Sequence, residues 1–595
     1  MTESNISKYC KGLREKHDLN GKTLLIKVPQ TNLVPDPSRN GQVLFNSKIA
    51  LSRGYQAYLP TGLQCLADTI EGNGIETRIL DMNYELLKKV HENPGYDISQ
   101  WLDIMEGLLE SYQPSVVGVA NTFTMAHSNF LEVLKAIRSS DIDPIIIVGG
   151  QNATYEAQNL LNERLCDFVC EREGENKLNY IFNQLYQTGN SREVSGIQFK
   201  SGEEIERTEG PRDVVILKGN LINQHKKMPI EDYSSIGTFG PFSRMAGEDV
   251  LSAPIVFNRG CRGNCSFCTV RDYIGKGVRG REVKEVLEEI DYLYSRGIRH
   301  IEFLDDDLTK DKERLEDLLN GLSKRDLSWS AQNGLIAYDL KENILGKMRE
   351  SGCVGFKIGV ESGNPEILKQ IRKPGTLDSF RKFAKRAEKF PELFISFNYI
   401  FGFPKETFGQ IMNTFDFSKE LNSDWCSYST YIPLGTEKRE EDSSKNFIPS
   451  KADRQMAIKS KEKVLEGYDI FNISPEQIPS GEQLKQIWFT LNMEKNFIKN
   501  KHLQPGGNPK KLASWMSVLQ KSYPLNADFP FFLSLAYQLS GNTLEAERYI
   551  QKTNENLDDY WKERFDQFNL SKVLEKFPQT PGETRKTIES IVKQH

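Results

Sequence analysis

The chain has 595 residues, of which 38% are hydrophobic and 27% charged, too long for one core and of a length that implies roughly three or four domains. Its formal charge of −5 gives no electrostatic case for nucleic acid, which usually needs a basic face, and the short clusters Lys226–Lys227 and Lys510–Lys511 read as solvated surface. No apolar run approaches the ~20 residues of a membrane span, and the polar start MTESNISKYCKGLREKHDLNGK has no apolar h-region, so a cytoplasmic address is expected.

Short apolar runs alternate with amphipathic stretches from the beginning. TLLIKVPQ (23–30), ETRILDMN (76–83), SVVGVANTFT (115–124), PIIIVGG (144–150) and DFVCEREGE (167–175) predict five strands. GLQCLADTI, SQWLDIMEGLLESY, NFLEVLKAI and EAQNLLNERL have helical spacing between them. Strands apolar on both faces and separated by helices predict an α/β fold with a doubly wound parallel sheet over 1–190, its ligand site at the strands' carboxyl ends. No G-x-G-x-x-G follows the first strand, which argues against a nicotinamide cofactor there. Residues 191–250, rich in Gly, Pro and charge, predict a connector with one hairpin.

Over 251–440 the alternation returns with six β/α units, from APIVFNRG and HIEFLDDD to LFISFNYIFGF and WCSYSTYIPL. The helix VKEVLEEIDYLYSRG places Val283, Val286, Leu287, Ile290 and Leu293 on one face. Six such units predict a partial (β/α)6 barrel with its chemistry on the loops after the strands. Tyr428 and Tyr431 on the last strand are candidates to point into it. Residues 441–595 predict a helical region, with Ala536, Gly541 and Ala546 spaced as in a helix–turn–helix of tetratricopeptide type that caps the barrel.

Nine cysteines in a chain without an export signal do not form a disulfide framework. Cys10, Cys65, Cys166, Cys170, Cys353 and Cys426 are scattered, the last four reading as packing residues, whereas Cys261, Cys265 and Cys268 fall within eight residues directly after the first barrel strand. Three thiolates on a loop loosened by Gly260 and Gly263 can wrap one inorganic centre, and in a cubane of four irons they leave one iron open to a ligand. A zinc site would want a fourth Cys or His close by, and the next histidine, His300, belongs to another element.

C-x3-C-x2-C after the first strand of a β/α barrel resembles the radical S-adenosylmethionine (SAM) superfamily. The resemblance implies a [4Fe–4S] cluster on Cys261, Cys265 and Cys268 that cleaves SAM to a 5′-deoxyadenosyl radical, fed by an electron donor such as flavodoxin or ferredoxin. Further motifs follow in the family's order: FLDDDLT (303–309), GVESGN (359–364), IRKPGT (371–376) and IFGFPKET (400–407). They imply a SAM site built by Phe267 on the adenine side, Asp305 and Asp306 facing the amino group or shaping its site, Glu361 and Ser362 at the ribose, and Gly402.

A doubly wound domain before this barrel resembles the cobalamin-binding class of radical SAM enzymes, which includes sp3-carbon methyltransferases and anaerobic magnesium-protoporphyrin ester cyclase-like proteins. The matching stretches, PTGLQCLADTIEGNGIETRILDMN, VGVANTFT, IVGGQNA and EREGE, imply cobalamin contacts from Thr61, Gly62, Asn121, Thr122, Gly149, Gly150, Glu173 and Gly174. The D-x-H-x-x-G motif of cobalt-ligating domains is missing from the sequence, so no histidine from that motif serves as lower ligand, and His127 reads as a hydrogen-bonding helix-start residue. The cysteines do not supply the second, N-terminal cluster of a methylthiotransferase. The leading expectation is cobalamin-dependent methylation of an unactivated carbon in a small-molecule, natural-product or lipid-type substrate. Radical cyclisation, oxidation or rearrangement without methyl transfer is the alternative, and a non-enzymatic binding protein stabilised by a structural metal is a third reading.

Overall fold

In the computed structural model, described over residues 4–30, 57–123, 126–189, 192–210, 212–236, 242, 245–247, 249–431, 473–523 and 525–594, the apolar runs form two separate parallel sheets. The first contains β1 (Lys22–Lys27), β2 (Glu76–Asp81), β3 (Val116–Ala120), β4 (Ile145–Gly149), β5 (Phe168–Cys170), β6 (Ile197–Ser201) and β7 (Glu204–Arg207). Successive side chains enter opposite cores: Leu24 and Ile26 lie on one face and Leu25 on the other, which is why these strands are apolar throughout. The spatial order is β2-β1-β3-β4-β5-β6-β7, parallel through β5 and antiparallel beyond it. The order reverses between β1 and β3, the topological switch point where a doubly wound sheet binds its ligand.

The sheet runs past the expected limit at 190. β5 has only three residues, and the hairpin β6–β7, expected inside a connector, covers its free edge. Phe199 of that hairpin packs 4.9 Å from Tyr9, and Arg207 pairs with Glu171 at 2.8 Å.

The second sheet is built from β8 (Ser252–Ile255), β11 (His300–Phe303), β12 (Ser328–Leu335), β13 (Cys353–Glu361), β14 (Phe394–Phe401) and β15 (Trp425–Thr430). All neighbours are parallel, in the order β15-β14-β13-β12-β11-β8. β8 and β15 do not pair, so the barrel is partial. Between β8 and β11 a two-residue antiparallel ladder joins β9 (Asn258–Arg259) to β10 (Arg279–Gly280), closing off the loop that carries the cysteine triplet.

Large aromatic side chains face the outer helices, as Phe383 against Phe397 shows. The opposite register positions are polar: His300 bonds Ser328 at 2.8 Å and Ser330 at 3.0 Å, and Gln332 donates to Glu302 at 3.1 Å. Tyr428 does not point into the barrel. Its hydroxyl bonds Ser418 on an outer helix, while Tyr431, an odd three residues on, takes the other face and packs 5.2 Å from Phe403.

The later C-terminal helices pack on the barrel's amino end, whereas the helix Gly481–Asn492 runs along the β15 edge and brings Leu484 to Gly402 on the loop after β14. Trp515 stacks 4.3 Å from Phe394 and lies 6.1 Å from Trp425, the first residues of β14 and β15. Asn496 imitates the next strand on the β15 edge: it donates to the Cys426 carbonyl at 2.6 Å and accepts from its N–H at 2.8 Å. Asp424 gathers His502, Lys501 and Lys511 at 2.8, 2.8 and 3.1 Å. The helices Asp528–Leu539 and Thr543–Asn556 form the expected pair, with Gly541 at φ 76° in the turn and Ala536 and Ala546 fully buried.

Candidate functional site

The loop between β9 and β10 is pinched at its base. A Cβ on Gly260, whose φ is +90°, would lie 2.4 Å from the Gly277 carbonyl, so only glycine fits. Cys261, Cys265 and Cys268 are all half-buried on this loop. A Cβ on Gly263 would sit 3.4 Å from the Cys261 Sγ and 3.6 Å from the Cys265 Sγ, so these two thiols gather around the glycine. Burial pushes all three thiols up, Cys265 to about 11 against the opposing pull of Lys373; their protons leave when a cation arrives to replace them. Among the described residues no group of three or more His, Cys, Asp or Glu is arranged around a single metal ion.

Three consecutive aspartates after β11 hold the loop in place. Asp305 accepts from the N–H groups of Phe257 and Asn258 at 3.0 and 2.6 Å. Asp306 accepts from the Gly260 N–H at 3.1 Å. Asp307 takes the Arg262 guanidinium in a fork at 2.7 and 2.8 Å and its backbone N–H at 3.3 Å. Arg262 also reaches Thr309 at 3.2 Å and Asp339. Asp305, expected to face the SAM amino group or to shape its site, is buried beneath the loop, and burial raises its carboxyl to about 8. Asp306 remains half-exposed and open to a ligand.

The remaining expected SAM residues divide in the same way. Glu361 ends β13 in the left-handed region, φ +69°, and accepts from the Lys373 ammonium at 2.8 Å. Ser362, expected at the ribose, is fully buried and shares a hydrogen bond with Thr414 at 3.0 Å, behind the mouth. Gly402 has φ +79°, and its N–H donates to Glu406 at 2.7 Å. Phe267 packs 5.7 Å from Phe403. Phe267, Asp306 and Glu361 therefore lie around the cysteines, with Lys373 as a cation the sequence reading passed over within IRKPGT, while Gly402 precedes Phe403, the ring that Phe267 meets. The motif's position beside a cysteine loop was its only signal.

At the switch point of the first sheet, Asn121 is fully buried, and neither atom of its side-chain amide has a hydrogen-bond partner. Its carbonyl receives the Asn152 and Ala153 N–H groups at 3.1 and 3.4 Å. Gly150, φ +100°, must be glycine because a Cβ would lie 2.5 Å from that carbonyl. Thr122 is exposed and Thr61 half-buried. Gly62 has open space beside it, whereas Gly149 packs near the Cys170 carbonyl. His127 begins the helix His127–Arg138 and meets the Asn152 side chain at 3.1 Å. An orphaned buried amide beside a tight glycine turn fits a polar, amide-bearing cofactor such as cobalamin.

Glu173 is corrected. Glu173 accepts from Arg259 at 3.3 Å and Arg279 at 2.7 Å, and Glu175 also takes Arg259. A Cβ on Gly174 would lie 3.1 Å from Leu66. This stretch ties the first domain to both strands flanking the cysteine loop. The partner arginines lie 86 and 106 residues downstream, beyond any local pattern.

Residues 255–418 match the family model of the radical SAM superfamily, and residues 48–181 match that of the B12-binding domain. An uncharacterised methyltransferase of Pyrococcus horikoshii is 29% identical over 330 residues, 55% of this chain and 68% of the relative. Cytidylyl-2-hydroxyethylphosphonate methyltransferase of Streptomyces wedmorensis is 25% identical over 431 residues, 65% of this chain and 78% of the relative. The structure of the radical SAM methyltransferase TsrM of Kitasatospora setae, with cobalamin and a [4Fe–4S] cluster bound, superposes with a TM-score of 0.55 at 16% identity, covering 91% of this chain and all of that one; the fold is shared. Among the described residues no helix is long and apolar enough to cross a membrane.

Proposed function

The chain belongs to the radical SAM superfamily and carries a B12-binding domain ahead of its barrel, and from that premise we propose that it methylates an unactivated carbon of a small molecule. Its relatives named as methyltransferases support that reaction class. The observation that carries the reading is the cysteine loop fastened by Asp305, Asp306 and Asp307 and joined through Glu173 to a domain whose crevice presents Asn121.

Cys261, Cys265 and Cys268 are the proposed cluster ligands. When bound, the cluster supplies one electron to split SAM and the corrin supplies the methyl group. The chain's own residues position the partners. Glu361, held by Lys373, offers acceptors to the ribose hydroxyls, and Asp306 offers its free acceptor capacity to the SAM ammonium. Phe267, backed by Phe403, covers the adenine. Asn121, Thr122 and Gly150 line the corrin side. A dedicated protein donor of flavodoxin or ferredoxin type delivers the electron, and a reducing cytoplasm suits the free thiols.

Anaerobic turnover of the cobalamin-loaded protein tests this by quantifying 5′-deoxyadenosine and S-adenosylhomocysteine together. Comparable amounts of both are expected, one SAM spent on the radical and one on the methyl group. Deoxyadenosine alone would move the assignment to a radical rearrangement.

A further inference from the structure

A cavity of about 570 Å³ opens on the outer side of the segment that follows β13, lined by Lys369, Arg372, Lys373, Thr376 and Asp378 among others. The segment that lines it packs against the cysteine loop. The Ser266 N–H donates to the Ile371 carbonyl at 2.9 Å, and a Cβ on Gly263, beside the Cys261 and Cys265 thiols, would meet the Pro374 ring at 3.7 Å. Arg372 sits in the left-handed region, φ +53°, and consecutive residues diverge: Lys373 turns inward to Glu361, whereas Arg372 is exposed, as is Lys369.

Among the described residues no carboxylate forms an ion pair with Lys369 or Arg372. Asp378, the acidic residue of the lining, is occupied by Lys382 at 2.7 Å. Lys405 is exposed on the adjoining loop, where the Gln370 amide donates to the Pro404 carbonyl at 3.0 Å. Two free cations and a third nearby stand out on a chain whose formal charge is −5. An acidic protein approaching this molecule is repelled overall and attracted here, and complementary charge at such a patch sets encounter rate and register.

We propose that this patch is the docking surface for an acidic one-electron carrier protein, placed so that the electron crosses from the cavity floor through residues 371–374 to the cysteine loop. The proposal rests on the reading of Cys261, Cys265 and Cys268 as cluster ligands. In the transfer the carrier, a reduced flavin or iron–sulfur protein, is oxidised by one electron and the cluster is reduced by one. No proton or leaving group moves in that step.

The test uses a purified acidic bacterial flavodoxin and the double variant Lys369→Glu, Arg372→Glu, with Lys510→Glu on the distant cap as a charge control. Flavodoxin binding is titrated at low and high ionic strength, and SAM cleavage is driven either by reduced flavodoxin or by dithionite. The double variant is expected to bind flavodoxin at least tenfold more weakly at low salt, with the difference shrinking near ~0.5 M salt as screening sets in. Its flavodoxin-driven turnover falls accordingly, while iron content, thermal midpoint and dithionite-driven cleavage stay unchanged and Lys510→Glu behaves as the parent. Unchanged flavodoxin affinity would overturn the proposal, as would an equal loss with both reductants, which would make the patch structural or a site for an anionic substrate. If the parent protein cleaves no SAM with dithionite, the radical reading fails instead, and the binding titration still decides the docking surface by itself.

Discussion

The carboxyl ends of the two sheets are prepared in opposite ways. In the barrel, Asp305, Asp306 and Asp307 hold the backbone or side chains of residues 257, 258, 260 and 262, so the cysteine loop is shaped by the chain's own hydrogen bonds. In the N-terminal sheet, Asn121 is buried with an unpartnered side-chain amide, a state that costs ~1–3 kcal/mol until something satisfies it. A loop that must place three thiolates around an inorganic core gains from rigidity beforehand. A crevice that receives a large organic cofactor can leave its polar contacts to be completed by that cofactor.

The largest effect should come from breaking the barrel side at its reactive atoms. Cys265→Ala is expected to abolish bound iron and SAM cleavage while leaving the circular dichroism of the cofactor-free protein unchanged. Next comes the support of the loop. Asp307 is buried, and its loss removes the fork to Arg262, which keeps Asp339 and Thr309, so Asp307→Ala should cost about 1.5–3 kcal/mol locally, seen as faster hydrogen exchange at residues 257–262 and poorer iron retention.

The cap gives an effect of similar or smaller size with a pH signature. Burial alone would raise the Asp424 carboxyl, but the His502 hydrogen bond and the Lys511 and Lys501 charges outweigh it and hold it well below the ordinary carboxylate range. A depressed carboxyl contributes stability above its unfolded pKa near ~3.9 and loses it as pH falls toward the folded value. Tryptophan fluorescence of the cap, with Trp515 against Phe394, should therefore show loosening below about pH 4. Asp424→Asn should remove ~2–3 kcal/mol at neutral pH and flatten that acid dependence.

Smallest in stability loss is Asn121→Ala: no side-chain hydrogen bond is lost and the cost of the unpartnered amide is relieved, so the cofactor-free variant is expected to be no less stable than the parent. The same change should weaken cobalamin retention, measured from the visible spectrum after gel filtration. A large stability loss without a cofactor effect would erase the contrast between the two sheets.

Much of this was legible from local pattern. Apolar runs such as PIIIVGG and HIEFLDDD become β4 and β11 at the expected places, because parallel strands buried on both faces leave a strong signal. The cysteine loop could be read for the same reason: its three thiols lie within eight residues. What stayed hidden was the direction of polar side chains. Asp305 and Ser362 lie in the right motifs but face the protein's own backbone and Thr414, and no spacing rule distinguishes a carboxylate that meets a cofactor from one that shapes the loop beneath it. Glu173 was misread because its arginines return from far along the chain. The β6–β7 hairpin was visible as a hairpin, but its attachment to the β5 edge depended on the shortness of β5, an element boundary set by packing.

The most direct test of the central claim is the metal and cofactor content of protein purified without oxygen from cobalamin-fed cells, measured as iron, sulfide, zinc and cobalt alongside the visible spectrum. About four irons and one cobalt per chain are expected, with Cys265→Ala losing the iron and keeping the cobalt. Zinc in place of iron, or iron with no cobalt under cobalamin supply, would contradict the account.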